Sequence, residues 1–163
     1  MHQGKNSSEV NIHQEVHGVP TTQKVVLNAV LHTKMHECVD GARHLVMDNR
    51  YQCPQLAALL LKRYDIYSTG TSRLGRLGWD KSYFNLKKKQ PKGTMQLMVD
   101  KTNGVLCAQW VDSKVVQCIS TKINTKVGVV SRQTGQQKEP IPCPEAIIDY
   151  QENMCGVDKG DHI

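Results

Sequence analysis

Phenylalanine occurs once in this sequence, at Phe84, and aromatic residues together make up only 5% of it. Any core must therefore be built mainly from Leu, Val, Ile and Met. Long apolar runs are missing too. The longest helical one covers residues 56–61, far short of the ~20 residues a membrane-spanning helix needs, so a soluble chain is expected. The first residues, Met1-His2-Gln3-Gly4-Lys5-Asn6, are polar and hold no signal-peptide core. No CxxC pair links the six cysteines (Cys38, Cys53, Cys107, Cys118, Cys143, Cys155). Without a secretory signal, reduced thiols are expected rather than a disulfide framework. Gly75-x-x-Gly78 is not a phosphate-cradling loop, and no Ser/His/Asp or Cys/His arrangement stands out.

What remains is ordinary globular material. The chain has 163 residues, 39% hydrophobic and 22% charged, enough for one domain or one domain with a small insertion. Its formal net charge is +6, and its sequence pI is near 9.0. Basicity of this order favours polyanionic partners through counterion release from phosphates. On charge alone, an ordinary basic protein accounts for it equally well.

Residues 1–20 are polar and weakly patterned. Val25, Val26, Ala29, Val30 and Met35 recur near helical spacing after Thr21-Thr22, so the spacing predicts a helix over 22–35, closed by Gly41. Leu45-Val46-Met47 is a short apolar run ending in Asp48-Asn49. Pro54, the run 56–61 and Lys62-Arg63 then mark a helix, and Ile66-Tyr67-Ser68-Thr69-Gly70-Thr71 marks a second strand. Strand, helix, strand predicts two parallel strands and places Asp48 at the carboxyl edge where open α/β sheets bind ligands. Residues 72–92 crowd Arg73, Arg76, Lys81, Lys87, Lys88, Lys89 and Lys92 into an exposed basic connection. Four short β runs follow (94–99, 105–111, 114–120, 127–132), separated by turn residues, as in an antiparallel meander. Gly135, Pro140, Pro142 and Pro144 predict a linker over 134–144. A helix then begins at Glu145 with Ala146, Ile147, Tyr150 and Met154 on one face. On such a helix Asp158 and Asp161 would share a face.

These blocks, in this order, resemble the catalytic half of piggyBac-type transposases and their domesticated relatives. Met47-Asp48-Asn49-Arg50-Tyr51 is similar to the family's M/C-D-N-aromatic-aromatic block, and Tyr67-Ser68-Thr69-Gly70-Thr71-Ser72-Arg73 to its xxTGTxR strand. Trp110-Val111-Asp112-Ser113-Lys114-Val115-Val116 with Ile119-Ser120-Thr121 resembles WxDxRxVxxLST. Asp149-Tyr150 with Met154-Cys155-Gly156-Val157-Asp158-Lys159-Gly160-Asp161 resembles DYNxxMGGVDxxDQ. The resemblance spans residues 25–163. It implies an α/β fold: a truncated RNase H-like core (1–72), an inserted antiparallel β domain with a linker (73–144), and a final catalytic-type helix (145–163).

By the same resemblance, Asp48 is the second acidic ligand, Asp158 the third and Asp161 an auxiliary one. The implied cofactor is Mg²⁺, the partner DNA, the location nuclear, with room for a homo-oligomer and no membrane. Arg73, Lys87, Lys88, Lys89 and Lys92 are candidates for tracking a phosphate backbone, with a solvated loop the equal alternative. Arg50 stands where the family has an aromatic residue, and Cys155 where it has a glycine. The family's first aspartate lies upstream of the helix beginning at Thr22. The preceding 21 residues hold only Glu9 and Glu15 as acids, so that position is expected to be absent. The chain also ends two residues after Asp161, before the family's zinc-binding C-terminus.

Three expectations follow. One is a transposase-derived nuclease remnant without activity of its own. The second is a non-catalytic DNA-binding or protein-interaction module. The third is a chain with an open sheet edge that does not fold stably alone. His32 and His36 with Cys38 offer a further spacing for zinc, set below an exposed polar helix face for want of a fourth ligand. Cys143, Cys155 and His162 fit no compact zinc spacing.

Overall fold

The computed structural model describes residues 21–37, 43–76 and 78–158, with the side chains of the last helix described through Met154. Helix α1 (Thr21–His32) leads to a 3₁₀ turn (Met35–Glu37), strand β1 (Arg43–Met47), helix α2 (Pro54–Tyr64) and strand β2 (Ile66–Thr71). Strands β3 (Met95–Asp100), β4 (Val105–Val111), β5 (Val115–Ser120), β6 (Val127–Thr134) and β7 (Gln137–Pro144) follow, then helix α3 (Glu145–Asp158). One five-stranded sheet has the order β1-β2-β5-β4-β3, and β6 and β7 form a second, two-stranded sheet.

The strand–helix–strand unit is as the pattern predicts. β1 and β2 pair in parallel, from Arg43 with Ile66 to Met47 with Gly70. Helix α2 starts where the Cys53 Sγ accepts the Leu56 amide and Pro54 takes the first turn, which needs no donor there. It stops at Asp65, whose left-handed backbone (φ 51°) returns its amide to Leu60 and Leu61. Helix α1 ends at His32, earlier than the expected 35, because Lys34 adopts φ 52° and breaks the helical run. Gly41, expected to close that unit, lies outside the described residues.

Strand alternation sorts the core into two faces. Val105, Cys107 and Ile119 point toward α2 and the 79–84 loop, joining Ala57, Trp79 and Phe84. Leu106, Ala108, Trp110 and Cys118 point the other way, joining Ile141 and Cys143 of β7 and Ala146 and Ile147 of α3. Both faces of the sheet centre are thus covered, and every residue of β4 is buried.

Three expectations are corrected. The meander keeps only its first three strands, which continue the β1–β2 sheet through an antiparallel β2–β5 pairing at Thr69–Ser120, Gly70–Ile119 and Thr71–Cys118. The stretch expected as a linker is a strand, β7, paired with β6 from Val127–Pro144 to Thr134–Gln137. Its prolines do not prevent pairing because Pro140, Pro142 and Pro144 share one parity. All three occupy the positions whose missing N–H would have pointed away from β6. The Pro142 carbonyl does point away, to the Trp110 Nε1 at 2.8 Å. Finally, the basic connection is exposed at its lysines but anchored beneath: Trp79, Phe84 and Leu86 are buried there.

Candidate functional site

Asp48 is exposed, one residue beyond the carboxyl end of β1. By strand parity it falls with His44 and Val46 on the face that α3 covers. Its Oδ1 accepts the Asn49 amide, and its carbonyl accepts the amides of Tyr51 (3.0 Å) and Gln52 (3.2 Å). The aspartate therefore closes the turn that leads into α2, and its carboxylate stays at the sheet edge. That turn is buttressed from β2 and the loop after it. Ser72 Oγ donates to the Gln52 carbonyl at 3.0 Å. Trp79 Nε1 donates to Ser72 Oγ at 3.1 Å, and Arg76 Nη2 to the Arg50 carbonyl at 2.8 Å.

Arg73 lies at this end of the sheet, and the lysines leave from its other face. Extending the registers gives one row, Asp48–Thr71–Cys118–Ala108, and a next row, Ser72–Gln117–Gln109. Arg73 follows Ser72 and is exposed. The Gln109 side chain accepts the Leu86 amide at 2.9 Å, so Lys87 emerges beside that row on the face of Trp79 and Phe84, opposite to that of Asp48. With strands ~4.8 Å apart, the Lys87 segment starts about 14 Å across the sheet from Asp48, on the other face. Lys87, Lys88, Lys89 and Lys92 are all exposed.

Asp158 is the last residue of α3; its side chain and all of Asp161 lie outside the described set. Among the described residues, no three of His, Cys, Asp or Glu gather as a metal cluster. Asp48 itself is a hard oxygen donor of the kind that divalent cations such as Mg²⁺ take. The helical spacing of His32 and His36 expected for zinc does not survive: α1 ends at His32, and His36 packs edge-on against Tyr64 at 5.9 Å. Cys38 lies outside the described residues.

One polar constellation carried no sequence signal beyond the place of Thr69, Ser120 and Asp149 inside the motif blocks. Beneath α3, His44 Nε2 lies 2.9 Å from Thr69 Oγ1, and Thr69 Oγ1 lies 2.8 Å from Ser120 Oγ. Ser120 Oγ reaches the Lys122 carbonyl at 3.1 Å. A carbonyl only accepts, so the donors run in one direction: Ser120 to Lys122, Thr69 to Ser120, and His44 Nε2–H to Thr69. Asp149 Oδ2 approaches the same imidazole at 3.9 Å. One residue on, the Tyr150 hydroxyl lies 3.3 Å from Thr71 Oγ1. This row ties α3 to the strand pair that carries Asp48.

Burial lowers the His44 pKa below its ordinary 6.5, Lys122 pushes the same way, and Asp149 opposes them. The unfolded chain therefore takes up a proton near 6.5 that the folded one resists. Stability is full above 6.5 and falls as pH drops through 6.5 toward the lowered folded value. Urea unfolding between pH 7.5 and 5 should show this loss, with a slope of at most about 1.4 kcal/mol per pH unit. The His44→Gln variant should lose that component.

The chain matches the family described as Transposase IS4 over residues 1–163. Among solved structures it is similar to a piggyBac transposase, seen by cryo-EM in a synaptic complex with hairpin DNA. The TM-score is 0.59 and the identity 20%, with 88% of this chain and 27% of that chain covered. The chain thus spans about a quarter of that transposase's length, and at this identity the likeness is one of fold. The α/β arrangement of a five-stranded mixed sheet and a two-stranded hairpin is accordingly that of part of a piggyBac transposase. On the match along its whole length, the chain belongs to the Transposase IS4 family.

Proposed function

We propose that this chain is a transposon-derived segment of a metal-dependent domain for DNA strand cleavage and transfer, RNase H-like in its core. It carries the second and third acidic positions, Asp48 and Asp158, with Asp161 as auxiliary. The supporting observation is the sheet end: Asp48 lies at the carboxyl end of β1, on the side that α3 covers, with Arg73 leaving the neighbouring strand beside it and the Lys87 segment leaving over the other face of the sheet. Asp48, Asp158 and Asp161 would hold Mg²⁺, which in such sites activates the attacking hydroxyl and stabilises the leaving oxygen. The Ser72–Trp79 buttress fixes the turn from which Asp48 projects. Arg73, Lys87, Lys88, Lys89 and Lys92 bind successive phosphates of DNA.

Among the described residues β1 has no partner on its outer side. In an RNase H-like sheet, that side would receive the strand bearing the first acid. With two of the three acidic positions, the chain by itself is expected to bind metal weakly and not to cut. A nuclear, domesticated role fits this reading.

A second reading, a non-catalytic DNA-binding module, is favoured by the exposed lysines, which need no contribution from Asp48. One experiment separates the two: binding of a DNA duplex across salt concentrations, with and without Mg²⁺. Under the first reading, Mg²⁺ tightens binding and Asp48→Asn abolishes that response. Changing Lys87, Lys88 and Lys89 to Gln flattens the slope of log K against log salt by about 3 units under either reading. A magnesium response unaltered in Asp48→Asn sinks the metal site and leaves the module. An unchanged salt slope sinks the proposed contacts.

A further inference from the structure

We propose that the cavity between α2, the 78–84 loop and strands β3 and β4 takes an arginine side chain from a basic segment of a protein partner. The inference is independent of the metal reading, because this cavity opens on the sheet face opposite to that of Asp48. Its volume is about 690 Å³, within the range of pockets that hold ligands and with room for more than one side chain.

The strand register sets its floor. Met98 pairs with Cys107 and Asp100 with Val105, so two rows of β3 and β4 turn their side chains to one face. Phe84 from the loop and Pro54 and Ala58 from α2 complete an apolar lining. Burial pushes the Cys107 thiol up to about 12, so that lining carries no charge near neutrality. Gly78 seats the loop closely on the helix: a Cβ there would meet the Pro54 Cβ at 2.9 Å.

Two exposed carboxylates line the same cavity, Asp80 from the loop and Asp100 from the end of β3. Each is fixed by its own turn. Asp80 Oδ1 accepts the Ser82 hydroxyl at 2.5 Å and the Ser82 amide at 2.9 Å. Asp100 accepts the Asn103 side-chain amide at 2.6 Å on Oδ2 and the Asn103 backbone amide at 3.1 Å on Oδ1. These bonds hold both carboxyls below the usual carboxylate range, so both are charged at neutral pH. On the α2 wall, Gln55 Oε1 is buried and has no hydrogen-bond partner among the described residues, an acceptor short of a donor.

This chemistry decides the occupant. Two fixed negative charges repel phosphate and carboxylate groups. A guanidinium only donates, spreads five N–H groups over a plane that two carboxylates can share, and brings an apolar stem for the floor. The ammonium of lysine is compact and more strongly hydrated, so it gives up more on entering. The local sign is also opposite to the chain's net charge of +6. Lys62 approaches Asp100, but Asn103 Oδ1 engages its Nζ at 2.6 Å. A basic segment is thus drawn to this cavity and repelled by the surface at large.

The test is isothermal titration calorimetry of the full chain with a capped peptide holding one arginine between two leucines. Peptides with citrulline or glutamate in place of the arginine are run beside it; citrulline keeps the shape and loses the charge. The natural chain should bind the arginine peptide alone. Asp80→Asn combined with Asp100→Asn keeps an acceptor for each turn, and should weaken binding about tenfold or more. Ala58→Leu should weaken it by filling the cavity from the α2 side. Circular dichroism checks that each variant is folded, and Ala58→Leu decides if the double variant is not. Equal binding of the citrulline or glutamate peptide, no binding of the arginine peptide, or unchanged affinity in a folded variant overturns the proposal.

Discussion

Replacing Gly70 with alanine should destabilise the protein by about 3 kcal/mol or more, seen as a large fall in the urea midpoint. A methyl group there would sit 2.3 Å from the Met47 carbonyl oxygen and 3.2 Å from the Gln52 Cγ. The first of these is backbone, so no rotamer change relieves it. Gly70 is the register partner of Met47, in the parallel pairing that carries Asp48 one residue further on. Relief requires β1 to move away from β2, breaking the Thr69–His44 contact and the turn at Asp48 together. A Gly70→Ala chain as stable as the natural one would mean that these two strands are not so closely paired.

Trp110→Ala should cost about 4 kcal/mol, the usual scale for emptying a buried indole site. Trp110 is fully buried and has three attachments. It packs with Ile141, Cys143 and Ile147, donates to the Pro142 carbonyl at 2.8 Å, and lies under the Arg132 guanidinium at 5.7 Å. Arg132 in turn pairs with Asp112 at 3.0 Å and reaches Gln151 of α3. Loss of the indole therefore loosens the hairpin and α3 at once. Hydrogen exchange should quicken across β6 and β7 before the strand–helix–strand unit responds. Trp110→Phe keeps most of the volume but leaves the Pro142 carbonyl without its donor, and should cost about 1–2 kcal/mol. Equal exchange in β1 and β7 of Trp110→Ala would contradict this placement.

What the sequence disclosed depended on the range of the signal. β1, α2 and β2 were legible almost residue by residue because a short apolar run, a proline start and a second run are local patterns. Helix α3 was legible for the same reason. The β2–β5 pairing was not, because nothing local in Thr69-Gly70-Thr71 names Ile119 as a neighbour. The prolines of β7 misled because their number suggested a linker, whereas their even spacing was the informative property. Phe84 and Leu86 were hidden by the lysines around them, since irregularly spaced anchors carry no period. At the site, Asp48 could be placed from the end of its strand. His44 and Asp149 meet only through folding, on elements 105 positions apart in the chain.

The seam between β2 and β5 also has a bearing on how the chain reaches this structure. Thr69 and Ser120 are separated by 51 positions, while β1–α2–β2 and β3–β4–β5 each close over short spans. Closing the long loop brings a reward only after both halves exist, so the seam is expected to form late on the way to the native state. Its hydroxyls and imidazole then lock two pre-formed halves. Weakening them, as with Thr69→Val, should chiefly speed unfolding and leave the folding rate almost unchanged. A three-pair joint thus sets the lifetime of the folded chain more than the speed of its assembly.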